Sequence, residues 1–370
     1  MNRLIKVLAI LLLSPILLPA QQKITVDDFL QFHYPREIAV SPDGEQIAYI
    51  VRSADTEESE WRSHLWLFQP ADGTDRQLTF GAAEDEHPAW SPDGRWLTFL
   101  SDRKPSTATD DADMGATQIW ALPITGGEAQ RWTASPASID DYQWSPDGRH
   151  IIYLADQEQS DSVKARIERE QERKKDEVVK DSIRVNKVLD SFDVATQESR
   201  QIAVLDPGVR EFDISPDGNW IVYETNYTGE YNDAQQYDLR TLHVSTGQTT
   251  RLTDFPGPET DPKFSPAGTR IAYIKQTTPD IEFAETDLAW CRFRPTRAAA
   301  DTATLTLDYD RSVLSYVWLN RYELALQIAD GTETPLVQIT RMRLSNRFTQ
   351  LTPDIGNVSN LSLPAGTQGP

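Results

Sequence analysis

Apolar and polar positions alternate along this chain in short bursts, and the bursts come in pairs around a repeated tight turn. The turn is Ser41-Pro42-Asp43-Gly44. It returns as Ser91-Pro92-Asp93-Gly94, Ser145-Pro146-Asp147-Gly148 and Ser215-Pro216-Asp217-Gly218, and in altered form as Ser265-Pro266-Ala267-Gly268. An apolar residue precedes each copy: Val40, Trp90, Trp144, Ile214 and Phe264. The pairs Ile47/Tyr49, Leu97/Phe99, Ile151/Tyr153, Ile221/Tyr223 and Ile271/Tyr273 follow. Their spacing puts both members on one face of a strand, so each turn joins a hairpin with one buried face. Proline presets the turn, aspartate bonds neighbouring backbone, and glycine takes the left-handed conformation that reverses the chain.

Two further strands complete each unit. One is short and apolar, as in His64-Leu65-Trp66-Leu67-Phe68 or Leu242-His243-Val244, and turns at Gly73, Gly126-Gly127 or Gly247. The last ends in Leu78-Thr79, Leu252-Thr253, Leu305-Thr306 or Leu351-Thr352, with Trp132-Thr133 and Gln201-Ile202 in the same place elsewhere. The turns start 50, 54, 70 and 50 residues apart. Four strands per repeat, with no repeat able to bury its sheet alone, predicts an all-β β-propeller of four-stranded blades.

Six complete blades are expected, and a seventh that begins at Val358–Gly366 and is incomplete. The sixth keeps only Trp318-Leu319-Asn320-Arg321-Tyr322 in place of the turn. The domain plan is a signal peptide over 1–20, a leader with a short helix over 21–36, and the propeller over 37–370. Arg3 and Lys6, the apolar run to Leu18 and the small Ala20 carry the export reading. The helix starts at Thr25, a capping residue, with Asp27 and Asp28 at its positive end. A charged helical insertion over 158–187 lengthens the third blade, and its apolar stripe is too thin to be buried.

Charge and composition then narrow the chemistry. A net charge of −21 argues against nucleic acid as a partner. Past the signal peptide no stretch is apolar enough to span a membrane, so a periplasmic or secreted location is expected. Cys291 is the only cysteine and reads as a core residue of a strand. Glu84-Asp85-Glu86-His87 reads as a solvated loop between blades, and Asp110, Asp111 and Asp113 lack the spacing of a calcium loop. No residue is assigned as catalytic, cofactor-binding or metal-binding, and no cofactor is expected.

The five turns, the preceding helix, the export signal and the run from Trp90 to Arg103 together resemble the N-terminal propeller of the prolyl oligopeptidase family of serine peptidases. The dipeptidyl peptidase IV and acylaminoacyl-peptidase branches are the most similar. TolB-type propellers share the turn. The resemblance implies a non-catalytic propeller that gates and positions peptides for an α/β-hydrolase domain. That domain is absent from this sequence: none of the 18 glycines has a serine two residues on, so there is no Gly-x-Ser-x-Gly elbow. The histidines His33, His64, His87, His150 and His243 lie in the leader or in blades, with no nucleophile to serve. Dipeptidyl peptidase IV binds the substrate amine with adjacent glutamates of an insertion. Here the one such pair, Glu57-Glu58, is in blade one, so no binding residue carries over. The expected function is a truncated or split peptidase, inactive alone, whose partners are peptides or a hydrolase domain or subunit. The alternative is a stand-alone TolB-type scaffold that binds envelope proteins.

Overall fold

The computed structural model describes residues 25–104, 115–173, 184–279, 281, 284–299, 301–341, 346–352 and 361–364. The signal peptide and the Asp110–Asp113 stretch fall outside them. Six four-stranded antiparallel sheets stand in sequence order, at 34–77, 85–131, 139–205, 209–251, 259–304 and 313–350. Each is a meander whose strands pair with their sequence neighbours, so every blade is one contiguous piece of chain. The fold is a six-bladed, all-β propeller.

The repeated turn forms because its side chains replace the water that its backbone would otherwise need. Ser41, Ser91, Ser145 and Ser215 donate their hydroxyls to the aspartate two residues on, at 2.5, 2.7, 2.6 and 2.6 Å. The same aspartate oxygen accepts the N–H of Glu45, Arg95, Arg149 or Asn219. Each serine oxygen accepts the N–H that restarts the next strand, such as Trp96 at 2.9 Å. In blade five Ala267 has removed the aspartate, yet Ser265 still accepts from Arg270 at 3.1 Å. The aspartate is therefore an addition to a turn that closes without it. Asp217→Ala should cost about 1 kcal/mol in urea unfolding, the net worth of bonds to an exposed carboxylate. A loss above about 3 kcal/mol would mean that the turn organises more than its own hairpin.

The recurring leucine-threonine has an equally local cause. The hydroxyls of Thr79, Thr133, Thr253, Thr306 and Thr352 accept the backbone N–H of Leu65, Ile119, Leu239, Leu288 and Leu336, at 2.8 to 3.0 Å. The hydroxyl thus satisfies a ladder donor where the outermost strand has ended.

Apolar residues fill the spaces between blades. Five core clusters join blades one to two, two to three, three to four, four to five and five to six. Cys291 is buried in the cluster between blades four and five. No cluster of the described residues joins blade six to blade one. There Ile47, Tyr49, Trp66 and Phe68 of blade one are only half-buried. Leu361–Pro364, where a seventh blade is expected to start, belongs to no sheet but lies beside Ile38 and Val40 of blade one and Val317 and Trp318 of blade six.

The leader helix is Val26–Leu30, capped by Thr25, whose hydroxyl accepts from Asp28 while the Asp28 carboxylate accepts from Thr25. The insertion contains a helix, Asp161–Arg173. On the return path Arg184 makes a two-pronged ion pair with Glu230 of blade four, which ties the insertion's end to the neighbouring blade. No helix among the described residues is long and apolar enough to cross a membrane.

Candidate functional site

The first strand of every blade faces the centre, and its sequence determines what the central channel presents. These strands are Tyr34–Val40, Asp85–Trp90, Ile139–Trp144, Val209–Ile214, Glu259–Phe264 and Val313–Asn320. Each is out of register with its partner strand near the same place, so each carries a β-bulge. A bulge re-aims a side chain that strict alternation would send elsewhere. The bulged backbone is left-handed at Glu37, His87 and Asp261, with φ of 41°, 50° and 50°.

The result is a ring of polar side chains, one from each blade: Glu37, His87, Asp141, Glu211, Asp261 and Ser315. Sequence reasoning missed this ring, and His87 in particular, which belongs to a first strand and not to a solvated loop. The signal was there. Each of the first five residues stands four positions before a turn serine. The alternating pattern drew attention to the apolar neighbours instead.

Inter-blade bonds hold the ring in place. Glu37 accepts the N–H of His87 at 2.5 Å, and Glu224 accepts that of Asp261 at 2.8 Å. The Tyr142 hydroxyl donates to the His87 carbonyl and that of Tyr316 to the Asp261 carbonyl. Trp90 and Trp318 donate their indole N–H to the preceding blade, to Ala39 and Lys263. The tryptophan before the turn is thus a core residue and also a staple.

At the bulge end the channel opens into a cavity of about 750 Å³ where Asp140, Asp141, Glu211, Asp213, Glu224 and Asp261 meet Arg210, Lys263 and His87. Burial pushes Asp141 up to about 6, and Asp213 and Glu224 each up to about 7. Glu211 and Asp261 are raised for the same reason. Cations answer some of this charge. Arg210 lies 2.8 Å from Glu224 and stacks over Tyr237, and Lys263 lies 2.6 Å from Asp261. At the turn end a second cavity, about 910 Å³, is lined by Pro92, Pro146, Pro216 and Pro266 of the turns and by Leu361–Pro364. The channel is therefore polar and acidic at one mouth and apolar at the other.

This arrangement can bind and orient; the ring's serine, Ser315, donates its hydroxyl to Gln327 at 2.9 Å. Among the described residues, Ser245 lies 3.3 Å from His243 in an exposed turn, and that imidazole packs on Trp220. Glu57 and Glu58 lie in an exposed turn of blade one. The described residues hold no group of three or more His, Cys, Asp and Glu that could bind a metal ion. The described residues hold no hydrolase fold, no catalytic triad and no metal site.

A family model described as the TolB beta propeller domain matches residues 18–184. This chain is a propeller related to TolB-type and peptidase-associated propellers. It is 26% identical over 228 residues to the uncharacterized peptidase YuxL of Bacillus subtilis, covering 58% of this chain and 33% of that protein. It is 26% identical over 268 residues to dipeptidyl-peptidase 5 of Porphyromonas endodontalis, covering 66% of this chain and 37% of the relative. Among solved structures, the acylaminoacyl peptidase of Pyrococcus horikoshii superposes with a TM-score of 0.62 at 14% identity, over 90% of this chain and 48% of that one. That likeness concerns the fold. The matched part of each curated relative is about a third of its length.

Proposed function

We propose that this chain is the non-catalytic propeller of an exported serine peptidase of the prolyl oligopeptidase family, and that its channel admits and positions peptides. The observation that carries the reading is the channel itself. It is lined by polar side chains from all six blades and has a charged mouth and an apolar mouth, with no catalytic triad among the described residues. A filter needs such a lining: a hydrated wall lets a polar chain pass, while fixed charge selects among those that enter. The peptide relatives supply the substrate class. Residues 1–20 direct export, and Leu361–Pro364 stands at the apolar mouth between blades one and six.

The purified chain should hydrolyse no aminopeptidase, dipeptidyl-peptidase or acyl-peptide substrate. Turnover that a serine-directed inhibitor blocks would overturn this. Reading the coding sequence onward from the Pro370 codon tests the assignment to a peptidase. A Gly-x-Ser-x-Gly elbow followed by Asp and His within about 250 residues supports it. An unrelated gene there favours the second reading, a TolB-type scaffold of the cell envelope, which the family match over residues 18–184 supports. In either case the chain expressed from Met1 should fractionate with the periplasm.

A further inference from the structure

The repeat provides an internal control for every position. The residue six before the turn serine opens the first strand of a blade. It is Asp85, Ile139, Val209 and Glu259 in blades two to five, and Val313 opens the corresponding strand of blade six, where Leu319 stands in place of the serine. All five are buried, at 0%, 2%, 2%, 2% and 1% exposure. Where the position only packs, it is Ile or Val. Where it is Asp85, Arg103 answers the charge at 2.5 Å. Glu259 makes no ion pair among the described residues: neutral donors, the Thr253 hydroxyl, the Tyr273 hydroxyl and the Phe255 N–H, serve its carboxylate, and its Oε2 has no hydrogen-bond partner. A buried carboxylate left this way is costly, and the fold does not require it, since blades four and six use valine.

Glu259 lines a separate cavity of about 380 Å³ between blades four and five, away from the central channel. Lys275 lines it too. Glu259 and Lys275 are direct cross-strand partners in the register, so their side chains leave the same face of the sheet. They do not pair, because the Lys275 ammonium lies over the Phe255 ring, 4.8 Å from its centroid. The rest of the wall includes Tyr273, the small side chains Ala289 and Ala303, and a second pair of opposite charges, Arg251 and Asp254; Arg251 is engaged with Asp238 at 2.8 Å. A carboxylate with one unbonded oxygen and an ammonium held only by a ring face thus line one compact space with aromatic rings and methyl groups.

We propose that this cavity binds a small zwitterion, a free amino acid or dipeptide, with its ammonium on Glu259 and its carboxylate on Lys275. A zwitterion supplies a partner to the unbonded oxygen of Glu259 and to the Lys275 ammonium at once, and brings no net charge into the enclosed site. The alanine wall takes a short apolar side chain. This site is independent of any role of the channel.

The test is calorimetric titration of the full chain with L-alanine and L-alanyl-L-alanine. N-acetyl-L-alanine, which lacks the ammonium, and L-alaninamide, which lacks the carboxylate, serve as controls. At least one zwitterion should bind saturably, and both controls about tenfold or more weakly, the worth of one charge-assisted hydrogen bond. Glu259→Gln keeps the shape and should lose binding by a similar factor. Glu259→Val copies blades four and six, so it should fold at least as stably while losing binding. Absence of saturable binding by either zwitterion at millimolar concentration overturns the proposal. So does undiminished binding by Glu259→Gln. If Glu259 and Lys275 simply pair with each other in solution, Lys275→Met will lower the melting temperature and no zwitterion will bind, which equally overturns it.

Discussion

Gly208→Ala will destabilise the protein by about 2–4 kcal/mol, although it adds a single methyl group. Gly208 lies in the link between blades three and four, next to Val209, which opens a first strand. A Cβ there would stand 1.7 Å from Asn226 Oδ1, 2.8 Å from its Cγ and 3.0 Å from its backbone nitrogen. Asn226 is 2% exposed and cannot simply swing aside. Its Oδ1 accepts the Gly229 N–H at 2.8 Å, and its Nδ2 donates to the Glu230 carbonyl at 3.0 Å. Making room for the methyl group breaks both bonds or moves the strand. Urea midpoints of Gly208→Ala, Asn226→Ala and the double variant decide the matter. The double variant should be little worse than Asn226→Ala alone, because the obstacle and the bonds are then already gone. Full additivity, or a Gly208→Ala loss below about 1 kcal/mol, would show that the link yields instead.

The wild-type chain will melt at a lower temperature as the pH rises from about 5.5 to about 8. Burial lifts Asp141 to about 6 and Asp213, Glu224 and Glu259 to about 7, from ordinary values of 3.8 and 4.5. Between those values the folded protein holds more protons than the unfolded chain. Their contribution is therefore complete on the acid side and is lost as the pH rises through the folded values. For Glu224 and Glu259, which are 1% and 2% exposed, it is on the order of 1–2 kcal/mol each. His64, held neutral by burial, opposes the trend as the pH falls. The turn aspartates, such as Asp43 with its carboxyl lowered by the Ser41 hydroxyl, act only below the window. The net charge of −21 adds self-repulsion in the same direction as the buried carboxyls. The window starts above the isoelectric point of about 4.6, where precipitation would confuse the measurement. Glu224→Gln should flatten the profile. A melting temperature that stays level or climbs with pH would refute the assignment of these carboxyls as the dominant titrating groups.

The blades were legible because their signals are local. The Ser-Pro-x-Gly turn bonds to itself within a few residues, and the closing threonine caps a strand of its own sheet. The channel was less legible because a β-bulge decides its lining. Two residues then oppose one, and simple alternation misplaces the side chain, as at Glu37 and Asp261. The inter-blade staples were hidden for a different reason: Trp90 and Tyr142 reach carbonyls some fifty residues away in sequence. The Glu259 cavity could not be anticipated from polarity alone. It becomes visible only when five equivalent positions are compared for burial and partners.

Because every sheet is drawn from one uninterrupted stretch of chain, a blade is also a unit of inheritance. Duplicating or deleting some fifty codons would add or remove all its strands together and leave no other sheet short of a partner. The contact between successive turns would survive such an event, since Gly94, Gly148 and Gly268 each sit against the proline of the preceding blade's turn. Blade number in such a ring can therefore drift in whole steps while the joint between neighbours stays the same.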